Sequence, residues 1–370
     1  MKRTFICAAS AVLMAAGCET AETEEVVSEP WPNREVMEVT DSIGTEIGDS
    51  SYVFGALGDV CLSEEGDILA MDQAMGHVRV FSPSGEFKTV FSGRGEGPGE
   101  VSIPLALAVL ENGEVILLDP GDNCYEVFHG QTYNHLRKDA LWSNNPPMDP
   151  VGLDGNHYVG MKFQLESTED GLTGTNTLGR FSTGEEDASV VYWRKEFPVN
   201  PAEPGTMIRN MLYSAVFTGD RMGRVFYSLM STDEYLVTAC DSTGNELFTI
   251  TADIPRAARS QEEMDREKVY MEQWISRMGV NVLWEPEPYR YMVKGLGVDS
   301  LERLWVQRGT ESPPVFDVFD MTGQHLFSAV YPEEGLTWRF HMESTGMLAW
   351  EEDPADGIQK VYLLETTSTR

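Results

Sequence analysis

The residues with the widest chemical reach in this chain are scattered, and none falls into a complete catalytic motif. The six histidines (His77, His129, His135, His157, His325, His341) show no metal-ligand spacing, and no GxSxG, HExxH or CxxC occurs. The glycine run Gly93-Arg94-Gly95-Glu96-Gly97-Pro98-Gly99 does not cradle phosphate, because proline interrupts it and a strand, not a helix N-terminus, follows. It reads as a crossing loop that leaves Arg94 near the mouth of whatever it spans. His77, beside an apolar strand, is a second candidate contact, although a lone histidine usually caps a turn. Asp72 and Asp119 occupy equivalent places after apolar strands, which suits capping of a turn through side-chain-to-backbone bonds. The stretch Asp119-Pro120-Gly121-Asp122-Asn123 offers oxygens to calcium without the spacing of a full loop. No cofactor and no metal site is otherwise indicated.

Residues 256–290 read as an insertion with a helix and a short aromatic run, Trp284, Tyr289 and Tyr291, beside it. Pro255 precedes a predicted helix, Ser260 is its N-cap with Glu263 at the capping-box distance, and Gly279 follows its end. Met264, Met271, Trp274, Ile275 and Met278 share one face, for packing on the main body or for a lid or partner surface. Trp274, Trp284 and Tyr289, with Tyr291 nearby, are candidate ligand contacts, since grooves favour such side chains. The segments 166–177 and 198–205 read as polar loops.

The elements that must position these residues recur. In the clearest copy a strand ends at a turn on Gly66, and a second strand runs Ile68-Leu69-Ala70-Met71. A third reads Val78-Arg79-Val80-Phe81, and a turn at Gly85 leads to a fourth. The first turn returns at Gly113, Gly155, Gly223, Glu302 and Gly346; glycine supplies positive φ at no steric cost, so Glu302 breaks the rule. The second turn recurs as Asp241-Ser242-Thr243-Gly244 and Asp320-Met321-Thr322-Gly323. One unit cannot bury its own apolar faces, but a ring of them can. The expected fold is all-β: a six-bladed β-propeller of four-stranded antiparallel blades with one helical insertion. The sixth unit lacks its last strand, and Asp41–Ile47 has the matching shape, so the N-terminal segment is expected to close the ring.

The stretch Gly93–Val101, then Pro104, then Leu107 to Asp119, resembles the linker and following strands of NHL-type six-bladed β-propellers, most of all their bacterial lipoprotein branch. Val101 stands where that family has phenylalanine. The resemblance implies the fold and no single activity, since such rings host binding modules, lyases and hydrolases.

The composition, 41% hydrophobic and 10% aromatic, supports a large core, and a formal charge of −33 opposes a nucleic-acid partner. Lys2 and Arg3, an apolar run from Phe5 to Met14, and Ala15-Ala16-Gly17-Cys18 resemble a bacterial lipoprotein leader: residues 1–17 are removed and Cys18 takes the lipid. Residues 18–34 form an acidic, proline-punctuated tether, and 35–366 the propeller, with 256–290 as its insertion. Cys61, Cys124 and Cys240 read as buried strand residues. The expected function is that of an envelope lipoprotein, membrane-bound through Cys18, that binds a protein partner or a small or oligomeric envelope ligand on the loop face. The alternatives are a metal-dependent hydrolase or lyase with its site in the channel, and a scaffold without ligand. Cys18→Ser is expected to move the chain from the membrane to the soluble fraction on fractionation; persistence with membranes would contradict the anchor.

Overall fold

Six apolar clusters, each shared by two neighbouring sheets, hold the molecule together. The computed structural model describes residues 31, 34–141, 146–168, 171–277, 282–335, 337–351, 354 and 356–366; the leader, Cys18, Met278 and Gly279 lie outside the described residues. Six antiparallel blades follow one another at 57–92, 106–140, 148–199, 215–252, 293–330 and 338–365. Their inner strands are Leu57–Leu62, Ala106–Val109, Met148–Gly152, Ala215–Gly219, Val293–Val298 and Trp338–Glu343. The strands alternate side chains between two faces, both of them apolar, so a blade is stable only between two others.

The N-terminal segment closes the ring in two steps. Strand β1 (Arg34–Val36) runs parallel to the outer strand of blade five, and strand β2 (Glu38–Ile43) pairs antiparallel with Val361–Glu365 as the outer strand of blade six. Met37 crosses between them fully buried. Trp31 stacks on His325 with ring centroids 4.3 Å apart and sits edge-on to Tyr235 and Phe319. The closing strand therefore lies earlier than Asp41–Ile47. It has to enter from blade five and run against Val361–Glu365, so it ends at buried Ile43. Gly44 then turns away at φ 133°, where a Cβ would strike the Gln359 carbonyl. The fifth strand of blade five was not expected.

Each turn does what its residues dictate. Glu302 adopts φ 53°, the conformation that glycine takes at the equivalent Gly66, Gly113 and Gly223. It is held there because Asp299 accepts the Leu301 and Arg303 N–H groups. Asp72 accepts from Gly55, Ala56, Ala74 and Met75 and from the Arg79 guanidinium at 2.9 Å. Asp119 accepts from Ser102, Ile103 and Gly121. Both carboxylates thus tie a blade to the connection before it. Asp119 has its oxygens engaged, and Asp122 pairs with Lys138 at 2.7 Å, so the segment 119–123 is not arranged around a cation. Cys61, Cys124 and Cys240 are buried free thiols.

Two segments read as loops are ordered structure. Residues 166–168 and 171–177 continue two 12-residue strands, His157–Thr168 and Gly171–Ser182, whose alternating threonines suit a ladder. Residues 198–205 end a strand and begin helix α1 (Pro204–Leu212), with Pro204 at its first turn. The expected helix, α2 (Gln261–Arg277), carries its capping box: Ser260 N–H donates to Glu263 Oε2 at 2.7 Å and Glu263 N–H to Ser260 Oγ at 3.2 Å. Met37→Ala should destabilise the chain by about 3 kcal/mol, read as a lower urea midpoint with an unchanged slope.

Candidate functional site in the central channel

Both helices lie in blade-to-blade connections, so they stand on the same end of the ring as the hairpin carrying His77 and the loop carrying Arg94. They wall an open cavity of about 3420 Å³ that continues into the central channel. The apolar side of α2 is satisfied locally, with Met271 and Ile275 packed on Ile208 of α1 and on Trp284. Trp284 Nε1 donates to Glu267 Oε1 at 2.7 Å, and Arg209 lies over its ring. The opposite side of α2 faces the cavity with Val269 and Tyr270, 54% and 65% exposed. Leu212 of α1 and Ile103, from the connection between blades one and two, also line the cavity and are exposed.

At the upper end of the channel, the inner strands of blades one, three and five are bulged and those of blades two, four and six are regular. A bulge re-aims the side chain that it displaces. The displaced registers carry Gly58, next to Asp59, then Asp149 and Lys294; Asp59, Asp149, Lys294 and Arg339 of blade six all line the cavity. Asp149 is held at φ 52°, a conformation that costs free energy in a non-glycine residue and so marks a constrained position.

The electrostatics follow from this placement. Burial pushes the Asp59 carboxyl up to about 6, against the opposing pull of the Leu107 N–H at 2.8 Å and of His341. Burial likewise raises Asp149, and the charge of Arg339 draws it back down. Burial alone would lower His341, but Glu343, 2.9 Å from its Nε2, and Asp59 raise it overall. The lower end of the channel is spanned by an ion pair between turns of opposite blades, Arg221 with Glu64 at 3.2 Å, beside Arg224 with Glu302 at 3.2 Å. Among the described residues, no three His, Cys, Asp or Glu side chains gather in a group that could hold a metal ion.

Of the candidates read from sequence, Arg94 and Tyr289 line the cavity. Arg94 is committed to the Ser102 and Gln73 carbonyls, at 3.0 and 2.9 Å, and Tyr289 lies under the Arg256 guanidinium. His77 lies outside the cavity, its ring pushed toward neutrality by burial. Trp284 is a core residue of the insertion. The side chain of Trp274 lies outside the described residues. Asp59, Asp149, Lys294, Arg339 and Glu343 were not found by motif. The available signal was a charge within the first strands of blades one, three, five and six, clearest in Arg339, His341 and Glu343 alternating with Phe340 and Met342.

No family model and no curated protein matches the sequence. Among solved structures, a member of the DUF4221 family from Bacteroides vulgatus superposes with a TM-score of 0.51 at 9% identity, covering 90% of this chain and 99% of that one. A streptogramin B lyase gives a TM-score of 0.44 at 11% identity over 91% of this chain and 100% of its own. Virginiamycin B lyase from Staphylococcus aureus gives 0.44 at 9% identity over 89% and 99%. At such identities the first likeness concerns the fold alone, and the other two are too distant to carry an argument.

The raised Asp59 carboxyl has a signed consequence. Its proton is held more tightly in the folded chain than in the unfolded one, so its favourable contribution is present below about pH 4 and lost as pH rises through about 6. Asp59→Asn keeps an acceptor for Leu107 and does not titrate. Its melting temperature should match the wild type at pH 4 and exceed it above pH 6; parallel curves would refute the assignment.

Proposed function

We propose that this chain is a ligand-binding propeller of the NHL type, held at the bacterial cell envelope by a lipid on Cys18, with its site at the channel mouth beneath α2. In this reading residues 1–17 direct export, 18–34 form the tether and 35–366 the propeller, in which 256–290 is the insertion. The observation that carries the proposal is the two-sided character of α2. Its Met271 and Ile275 are buried locally, so Val269 and Tyr270 are left facing a cavity that also displays Ile103 and Leu212. Concave sites with apolar walls and a few converging charged groups are where small ligands bind. The ion pair Arg221–Glu64 across the lower end favours entry from the α2 side.

The neutral dye Nile red probes such a wall. Saturable blue-shifted fluorescence is expected with the mature chain, weakened at least tenfold in the Val269→Ser/Tyr270→Ser double variant, since even one covered apolar side chain contributes about 1.5–3 kcal/mol. Equal dye binding by the variant would place the apolar surface elsewhere and overturn the reading.

A further inference from the structure

One face of α2 lines the cavity along its length: Glu262, Asp265, Arg266, Val269, Tyr270 and Gln273 recur at helical spacing there. The other face, with Met271 and Ile275, is covered by α1 and Trp284. Acids surround the exposed Val269 and Tyr270. Asp59 of blade one, Asp149 of blade three, Asp265 of α2 and Glu334, between blades five and six, all line the cavity. Among the described residues none of these four makes a salt bridge, although the charge of Arg339 is felt at Asp149. The bases of the same wall are engaged within it. Arg224 pairs with Asp220 and Glu302, Arg259 with Glu267 and Arg290 with Glu263, while Lys294 donates to the Trp338 carbonyl. A formal charge of −33 carries the same sign beyond the mouth.

We propose that the mouth takes an extended basic segment of a partner polypeptide, in which Lys or Arg alternates with apolar residues. Its basic side chains turn down to Asp59 and Asp149, and its apolar ones up to Val269 and Tyr270. An extended chain sends successive side chains to opposite sides, which suits acids below and an apolar helix face above. Size argues for a polypeptide over a small cation. The cavity holds about 3420 Å³, against roughly 300–1,000 Å³ for small-molecule sites. Its acids also stand on four separate elements, which a chain with several charges can reach and a single ammonium cannot. Complementary charge speeds encounter with a basic segment and turns acidic ones away. This inference rests on the channel mouth being the ligand site.

The test is calorimetric titration of the mature chain with the end-capped peptide Lys-Leu-Lys-Leu-Lys-Leu, with Nile red binding measured in parallel. At pH 8, where Asp59 is ionised, the peptide should bind and displace the dye. The counterpart with Glu for Lys should not bind, and the one with Ser for Leu should bind at least about tenfold more weakly. Asp59→Asn/Asp149→Asn should weaken the Lys-Leu peptide by about tenfold and still bind dye, which shows the variant folded. Glu86→Gln/Glu185→Gln removes the same charge from exposed turns outside the cavity and should change affinity by less than about twofold. Equal weakening by the two pairs overturns the proposal, because attraction would then be to net charge alone. Dye binding without peptide binding overturns it too. Failure of the wild type to bind dye would instead count against the channel-mouth site itself.

Discussion

Every blade is apolar on both faces, and that constraint shapes the rest of the molecule. No blade can be an end, because an end blade would expose one apolar face and one unpaired strand edge. The cluster joining Leu348, Trp350 and Val361 of blade six to Leu57, Val60, Ile68 and Phe81 of blade one is where the ring meets itself. Strand β2 supplies the missing edge, and Ile43 contributes to the same cluster. Trp31 and β1 hold the approach to that strand against blade five, so closure does not depend on six residues alone.

A closed ring has a consequence for chemistry. It brings six first strands, far apart in sequence, into one circle, and a given position on each becomes a neighbour of the others. Asp59 and His341 feel each other's charge although the whole ring separates them along the chain. The channel partly excludes water, which is why carboxylates there bind protons more tightly than on the surface.

The sequence was legible where the fold depends on local pattern. Turns at Gly66, Gly113 and Gly223, the capping box of Ser260 and Glu263, and the turn-capping roles of Asp72 and Asp119 all rest on interactions within a few residues or on a repeated unit. The position of the closing strand was legible only approximately, because its register depends on a partner more than 300 residues away. The long strands of blade three and helix α1 were hidden behind polar residues, and their pairing is set by neighbours. The channel groups were least visible. Asp149 and Lys294 sit at bulges and Asp59 beside one, and a bulge leaves no motif. Trp284, conspicuous in sequence, sits in the core because its indole N–H finds Glu267.

The central claim is that the upper channel, beneath α2, is where this protein meets its ligand. Hydrogen exchange of the mature chain with and without Nile red tests it most directly, because it reads every segment at once. The account predicts slower exchange in α2 and at the upper ends of the inner strands at 57–62, 148–152, 293–298 and 338–343, with the outer strands unchanged. Protection confined to the outer strands, or none at saturating dye, would contradict it.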